Sequence, residues 1–375
     1  MIGGKVALAV APGLLTELAA GRQVACVSGT NGKTTTTRLL SAALSQRGRV
    51  TSNGGGANMT AGVVAALSRD RQAERAVLEV DEFYLPSVAR AVRPAVVVLL
   101  NISRDQLDRS NETRRIAGLW RAVGGQLPGT VAVANADDPL VTWAAAGFDR
   151  VVWVGAGQRW TLDARVCPAC GGLLDRHDGG WSCPGCGLSR PATSVEVAGA
   201  DLLTVDGVGV ALELRLPGRV NAANAAMALA AARELGVAPD QALGAMRTVT
   251  EVSGRYSTRM LADRPARLLL AKNPAGWQEM LDLLEAAPPR PLVIAFNARV
   301  ADGRDPSWIW DVPLERLAGR DVGVCGDRAA DVGTRLAYAG VPHRLYPDAA
   351  AAAAAAAGDG EIDVVATYTA FRELL

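Results

Sequence analysis

The chain has 375 residues, enough for two or three domains, and a 49% hydrophobic fraction that supports full cores. A formal net charge of +1 gives no broad electrostatic footprint for nucleic acid. The longest uninterrupted apolar run is the alanine tract 349–357, too short to span a bilayer, and Pro12 and Glu17 interrupt the stretch after Lys5, so no signal peptide is expected.

In chain order, residues 3–20 read as an amphipathic helix. The short apolar run Val24–Val27 then feeds Ser28-Gly29-Thr30-Asn31-Gly32-Lys33-Thr34-Thr35, and a helix is expected over about 33–47. A strand that stops at a glycine-rich turn and restarts as a helix aims backbone N–H groups and the positive end of the helix dipole at one spot, which makes a phosphate cradle. Gly29 to Thr35 form that cradle, with Lys33 on the outer phosphates of ATP and the Thr34 hydroxyl on Mg²⁺. The chain has only three lysines, Lys5, Lys33 and Lys272, against many arginines. A lysine kept in this turn points to a need for a compact ammonium.

Ala76–Val80, Ala95–Asn101, Val131–Asn135 and Val151–Val154 are short, β-branched-rich runs with helical stretches between them. Buried parallel strands have this pattern, so the first part is expected to be a doubly wound α/β domain. Residues 160–192 interrupt it with Gly, Pro, Cys and Trp. Cys167-Pro-Ala-Cys170 and Cys183-Pro-Gly-Cys186 stand twelve residues apart, each followed by glycine. Two such pairs supply four thiolates to one tetrahedral Zn²⁺, and a closed site of this kind is structural. The remaining alternatives are two redox dithiols or a nucleic-acid-binding ribbon, and balanced charges in the module argue against the second. Four paired cysteines also favour metal in a reducing, cytoplasmic setting over disulfides.

Regular structure resumes near 195, and a helix is expected over 221–235. A boundary at Gly254-Arg255 opens a second α/β series with strands at 267–271, 292–296, 322–325 and 363–367. The alanine tract follows Pro347-Asp348, a helix start. The expected domains are therefore 1–253, an ATP-binding domain carrying 160–192 as an inserted zinc ribbon, and 254–375, a Rossmann-like domain. Gly323-Val324-Cys325-Gly326-Asp327, with His343 downstream, leaves open a self-contained glutaminase. The chain stops at Leu374-Leu375 inside a helical pattern, so a further C-terminal tail is an open expectation.

These motifs identify a resemblance. Gly-Thr-Asn-Gly-Lys-Thr-Thr at 29–35 resembles the ATP loop of the Mur ligases and folylpolyglutamate synthetases. Asn101-Ile-Ser-Arg-Asp-Gln-Leu-Asp-Arg109 resembles the family segment after the third strand, and 218–226 its Gly-x-x-Asn-x-x-Asn-x-x-Ala helix start. The cysteine ribbon, Leu270-Ala-Lys-Asn-Pro-Ala-Gly-Trp277 and Asp302-Gly-Arg-Asp-Pro-Ser-Trp-Ile-Trp-Asp311 narrow it to the Mur-ligase-like subunits of lipid II isoglutaminyl synthases.

The resemblance implies an ATP-dependent carbon–nitrogen ligase. ATP would phosphorylate the α-carboxylate of D-glutamate in the lipid II stem peptide, and ammonia from a GatD-like glutaminase partner in a heterodimer would give D-isoglutamine. Such an enzyme would be cytoplasmic and would meet its lipid-linked substrate transiently at the inner membrane surface. With the loop beginning at residue 29, no N-terminal nucleotide-recognition domain is expected.

By resemblance, Glu79 is the Mg²⁺ carboxylate, Asn224 contacts adenine, Arg255 faces the γ-phosphate, and Lys272 is a cation facing ATP. Asp311, then Asp305, are the candidates for an aspartate that orients the partner's histidine, with Trp308 and Trp310 beside them. The chain departs from the family where many members have a carbamylated lysine, since none lies between Lys33 and Lys272, and Gln106 stands in place of a metal-binding histidine. One Mg²⁺ or two are both open. The competing readings are a ligase that joins an amino acid to a carboxylate, and a zinc-ribbon nucleic-acid-binding ATPase.

Overall fold

The computed structural model describes residues 6, 8–53, 57–105, 113–178, 180–250, 252, 256–358 and 360–375. The chain divides into two compact units, Met1–Ser103 with Glu112–Thr250, and Arg104–Asn111 with Glu251–Leu375.

The first unit is built on β1 (Gln23–Ser28), β2 (Val50–Ser52), β3 (Arg75–Glu79), β4 (Val96–Leu99), β5 (Val131–Asn135), β6 (Arg150–Gly155), β9 (Val195–Val197), β10 (Leu202–Val205) and β11 (Val208–Ala211). A separate two-stranded hairpin joins β7 (Asp175–His177) to β8 (Gly180–Ser182). The large sheet runs β11-β10-β9-β6-β5-β4-β1-β3-β2. It is parallel from β2 to β9, and β10 and β11 add on antiparallel. The central strands are apolar on both faces because helices cover both faces, as the doubly wound reading expects. One side of the sheet buries Cys26, Leu78, Leu85, Val97 and Trp120 in a single core.

Two features matter for function. The connection after β1 runs toward β2, whereas the connection after β4 runs toward β5, so the order of the sheet reverses between β1 and β4. Open α/β sheets bind ligands in the crevice at such a switch point. The 219–234 helix also packs on the 33–44 helix, which brings a distant segment to the first turn of the latter.

Several elements differ from expectation. Helix over 3–20 is too long: Pro12 and Gly13 divide it, and the well-formed segment is Leu14–Ala19. The helix after the turn is α over Lys33–Leu44 and tightens to 3₁₀ over Ser45–Arg47. β2 is too short to show a period. The β10–β11 hairpin turns on Asp206-Gly207, both with positive φ (49° and 84°), a turn signal that was present in the sequence.

The second unit is a six-stranded sheet ordered β12-β13-β17-β14-β15-β16. Its strands are β12 (Tyr256–Leu261), β13 (Arg264–Leu270), β14 (Leu292–Ala295), β15 (Val322–Cys325), β16 (His343–Leu345) and β17 (Ile362–Ala366). All pairs are parallel except the β12–β13 hairpin. Trp277, Phe296 and Trp308 fill one face of the sheet, and Leu268, Ala352 and Phe371 fill the other. The alanine tract forms a helix over Ala349–Ala355, capped by Asp348, whose Oδ1 accepts from Ala351 N at 2.8 Å.

Candidate functional site

The Gly-Lys-Thr turn sits at the carboxyl end of β1. Gly29 and Gly32 are required there by space and by backbone geometry. A Cβ on Gly29 would lie 2.7 Å from Leu100 Cβ, where the segment after β4 crosses it. Gly32 has φ +87° as the residue before the helix, and a Cβ there would lie 2.4 Å from Asn224 Oδ1. The helix begins at Lys33, so its first-turn N–H groups, which no helix satisfies internally, belong to Lys33, Thr34 and Thr35. All three side chains are buried.

Lys33 folds back on the turn. Its Nζ donates to Gly29 O (2.5 Å), Thr30 O (3.2 Å) and Glu82 Oε2 (3.2 Å). Both members of the Lys33–Glu82 pair are about nine-tenths buried or more. Sequence reasoning missed Glu82. The available signal was the acid pair Asp81-Glu82, two and three residues beyond Glu79, just past the end of β3.

Glu79 ends β3 opposite Val27 in the register of β1. It is fully buried, and neither carboxylate oxygen has a hydrogen-bond partner among the described residues. Its backbone is held by the Asn53 side chain, which accepts from Glu79 N (2.7 Å) and donates to Glu79 O (2.8 Å). A buried carboxylate without hydrogen bonds is costly, and a hard divalent cation removes that cost by taking the oxygens as ligands. The donor chemistry of Glu79 therefore fits Mg²⁺.

Asn224 reaches the same turn from the 219–234 helix. Its Oδ1 accepts from Thr36 Oγ1 at 3.2 Å, and its Nδ2 donates to Asn221 Oδ1 at 3.4 Å. Asn101 brackets Asn31 with both ends of its amide: Oδ1 accepts from Asn31 N (2.9 Å) and Nδ2 donates to Asn31 O (3.0 Å). Gly29 to Thr35, Glu79, Glu82, Asn101 and Asn224 are thus gathered around one turn in the first unit.

The four cysteines also come together. Their Sγ atoms all lie within 4.8 Å of one another. The Cys167–Cys186 and Cys170–Cys183 pairs are 3.6 and 3.5 Å apart. Tetrahedral Zn²⁺ with bonds of ~2.3 Å needs sulfurs ~3.8 Å apart, so the cluster fits that ion. The two knuckles are built alike: Gly171 N donates to Cys167 O and Gly187 N to Cys183 O, each at 2.9 Å. The thiols share protons: the same hydrogen bonds among them lower Cys183 and raise Cys186.

In the second unit, Lys272 Nζ pairs with the Asp105 carboxylate. Asp311 ends the 3₁₀ segment Ser307–Asp311, where its Oδ2 lies 3.0 Å from Arg104 Nη1 and its side chain is 41% exposed. Asp305 instead serves its own turn. Its Oδ1 accepts from Ser307 N at 2.9 Å, and the Ser307 N–H and hydroxyl hold its carboxyl below the usual carboxylate range. Trp308 is buried against Phe296, whereas Trp310 is half exposed and stacks edge-on with the exposed Tyr338. Cys325 is buried in β15, where burial pushes its thiol up to about 11. Val322, not Cys325, pairs with His343, so the structure does not bring that cysteine and histidine together. Arg255 and Gln106 lie outside the described residues.

This geometry matches known proteins in both units. The Mur ligase middle domain family matches residues 27–167, and the MurT ligase C-terminal family matches residues 270–371. The lipid II isoglutaminyl synthase (glutamine-hydrolyzing) subunit MurT of Streptococcus pneumoniae is 30% identical, over 99% of this chain and 91% of that protein. Among solved structures, a pseudomurein peptide ligase type C from Methanothermus fervidus superposes with a TM-score of 0.73 at 21% identity, covering 94% of this chain and 78% of that one. MurF ligase from Thermotoga maritima, solved in complex with ADP, gives 0.68 at 18% identity, covering 96% and 80%. With a relative of this identity matched along nearly its whole length, and with a Mur ligase middle domain and a MurT C-terminal domain both matched, the chain belongs to the MurT family, a branch of the Mur ligases.

Proposed function

We propose that this protein is the synthetase subunit of a lipid II isoglutaminyl synthase. It amidates the α-carboxylate of D-glutamate in the stem peptide of lipid II. The observation that carries the reading is the turn at the β1–β4 switch point, with Lys33 buried in it and the Glu79 carboxylate, unpartnered among the described residues, at the end of the adjacent strand β3. A carboxylate oxygen of the substrate attacks the γ-phosphorus of ATP and ADP leaves. Ammonia then attacks the acyl carbon, phosphate departs with the C–O electron pair, and the new nitrogen loses a proton.

The protein's part is positioning and charge stabilisation. The 29–35 turn binds the phosphates through backbone N–H groups, and Lys33 exchanges Glu82 for phosphate oxygens. Thr34 and Glu79 would hold Mg²⁺, whose charge would offset that developing on the transferring phosphoryl group. Asn224, Arg255 and Lys272 complete the nucleotide contacts in this reading. The fold of an ADP-bound MurF ligase supports ATP as the nucleotide.

Ammonia comes from a glutaminase partner, in keeping with the glutamine-hydrolyzing name of the pneumococcal relative. Asp311 is the residue offered to the partner's histidine: both aspartates are exposed, and Asp305 is committed to the N–H of its own turn whereas Asp311 faces the Arg104 side chain. Among the described residues no helix is long and apolar enough to cross a membrane. In this reading the lipid-linked substrate is met at the membrane surface.

The test is reconstitution with a candidate glutaminase. A stable heterodimer should amidate lipid II with either glutamine or ammonia, and its ATP turnover should respond to ammonia and not to free amino acids. ATP turnover driven by an amino acid would instead favour a peptide-type ligase. In that system Asp311→Asn should lower glutamine-dependent amidation by about 10³-fold, as loss of an orienting carboxylate does, while leaving ammonia-dependent amidation intact.

The four-cysteine module is proposed to hold structural Zn²⁺. Cys183→Ser should leave less than one zinc per chain by metal analysis. It should also open residues 165–190 to protease, since folding energy of about 10 kcal/mol or more resides in such a site. An unchanged zinc content in that variant would refute the assignment.

A further inference from the structure

The turn that follows β5 touches two things at once. On one side it meets the cysteine module. Trp181, fully buried in β8 and two residues before Cys183, donates its indole N–H to Ala136 O at 3.1 Å. Arg190 Nε donates to Asp137 Oδ1 at 2.7 Å, and Asp137 Oδ2 accepts from Gly157 N at 2.5 Å.

On the other side the turn meets the segment that clamps the phosphate loop. Asp138 is 1% exposed. Its Oδ1 caps the 139–145 helix by accepting from Leu140 N (2.9 Å) and Val141 N (3.3 Å). Its Oδ2 accepts from Ile102 N at 2.9 Å. A cap needs only one oxygen, which serine or asparagine supplies equally well. The second oxygen is therefore what this position gains from being aspartate. Burial pushes the Asp138 carboxyl up to about 6, against the pull of the three N–H groups. The site thus retains a carboxylate that its surroundings disfavour.

Ile102 lies within the clamp. On either side of it, Asn101 brackets Asn31, Asn101 O accepts from Thr30 N (2.9 Å), and Ser103 N donates to Thr30 Oγ1 (3.0 Å). The path is short and continuous: module, turn 135–138, Ile102, clamp, phosphate loop. All of it lies in the first unit.

We propose that Asp138 is a positioning residue for the phosphate loop, and that the 135–138 turn couples the four-cysteine module to that loop. The proposal rests on the reading of the 29–35 turn as the nucleotide site. It gives the module a task in nucleotide binding beyond its own stability.

The test is amide hydrogen exchange on the full chain, read without nucleotide, for the parent and for Asp138→Asn. Asparagine keeps the cap through its oxygen but turns an N–H₂ toward Ile102 N–H, donor against donor. Exchange in peptides covering 30–31 and 102–103 should rise about tenfold, with β1 and β4 unchanged, because one charge-assisted bond is lost locally. Asp138→Ser, which caps but cannot reach Ile102, should behave the same way. Titration with ADP should then show about a tenfold loss of affinity in both variants, with Tm lower by only the few degrees that one lost bond accounts for. Loop exchange within twofold of the parent, or a rise spread evenly over the domain, would overturn the positioning role.

Stripping zinc with a chelator tests the coupling. Exchange should rise together at 135–138 and 29–32, and a rise confined to 165–190 would refute it. If the parent itself fails to bind ADP, the nucleotide reading falls while the exchange result still decides the proposal.

Discussion

Replacing Lys33 with alanine should lower ATP-dependent amidation by about 10³-fold or more, since on the proposed reading it removes the ammonium that would exchange Glu82 for the transferring phosphoryl group. The same change leaves Glu82 buried without its partner, and breaking a buried pair costs about 3–5 kcal/mol. Loss of activity in Lys33→Ala alone could therefore reflect loss of fold. The double variant Lys33→Ala with Glu82→Gln separates the two effects: thermal melting should recover most of the lost stability, while single-turnover phosphoryl transfer should stay at the level of Lys33→Ala. Recovery of transfer in the double variant would show that Lys33 acts through structure and not through charge.

Glu79→Gln should move two readouts in opposite directions. The carboxylate is buried with neither oxygen hydrogen-bonded among the described residues, so a neutral isostere relieves desolvation. Without nucleotide or Mg²⁺, Tm should rise, by about 2–4 °C for each kcal/mol regained in a unit of this size. With Mg²⁺ and nucleotide, the variant should lose stabilisation that the parent gains by ligand binding. The Mg²⁺ concentration for half-maximal amidation should rise at least about tenfold, the cost of one lost charged ligand. A merely structural Glu79 would lower Tm on substitution and leave the Mg²⁺ dependence where it was.

The parts of the site that were legible in the sequence share one property: their geometry is local. Gly29 to Thr35 make a strand–turn–helix whose dihedrals follow from glycine and residue order. Cys167, Cys170, Cys183 and Cys186 lie close in the chain and were readable as one metal cluster from spacing alone. The strand end at Glu79 was legible as the end of an apolar run, and its role only by resemblance. That neither carboxylate oxygen is hydrogen-bonded among the described residues was not legible, because it depends on what surrounds it. The separate fates of Asp305 and Asp311, or of Trp308 and Trp310, were equally hidden. Each pair has the same residue type in one short stretch; only packing decides that Trp308 is buried and Trp310 is not, and only the local turn decides that Asp305 caps Ser307 while Asp311 meets Arg104.

Composition, spacing and motif order by themselves determined an α/β fold, a phosphate-type turn at Lys33 and a four-thiol cluster, because each arises from neighbours along the chain. The tertiary structure alone decided that Lys33 meets Glu82 across 49 residues, that Asn101 brackets Asn31 across 70, and that Asp138 holds Ile102 across 36. Those contacts follow from a sheet order in which β1 lies between β3 and β4 and β5 lies beside β4. Strand order is set by the packing of helices on two faces, a property of the assembled layers that no local run of residues carries.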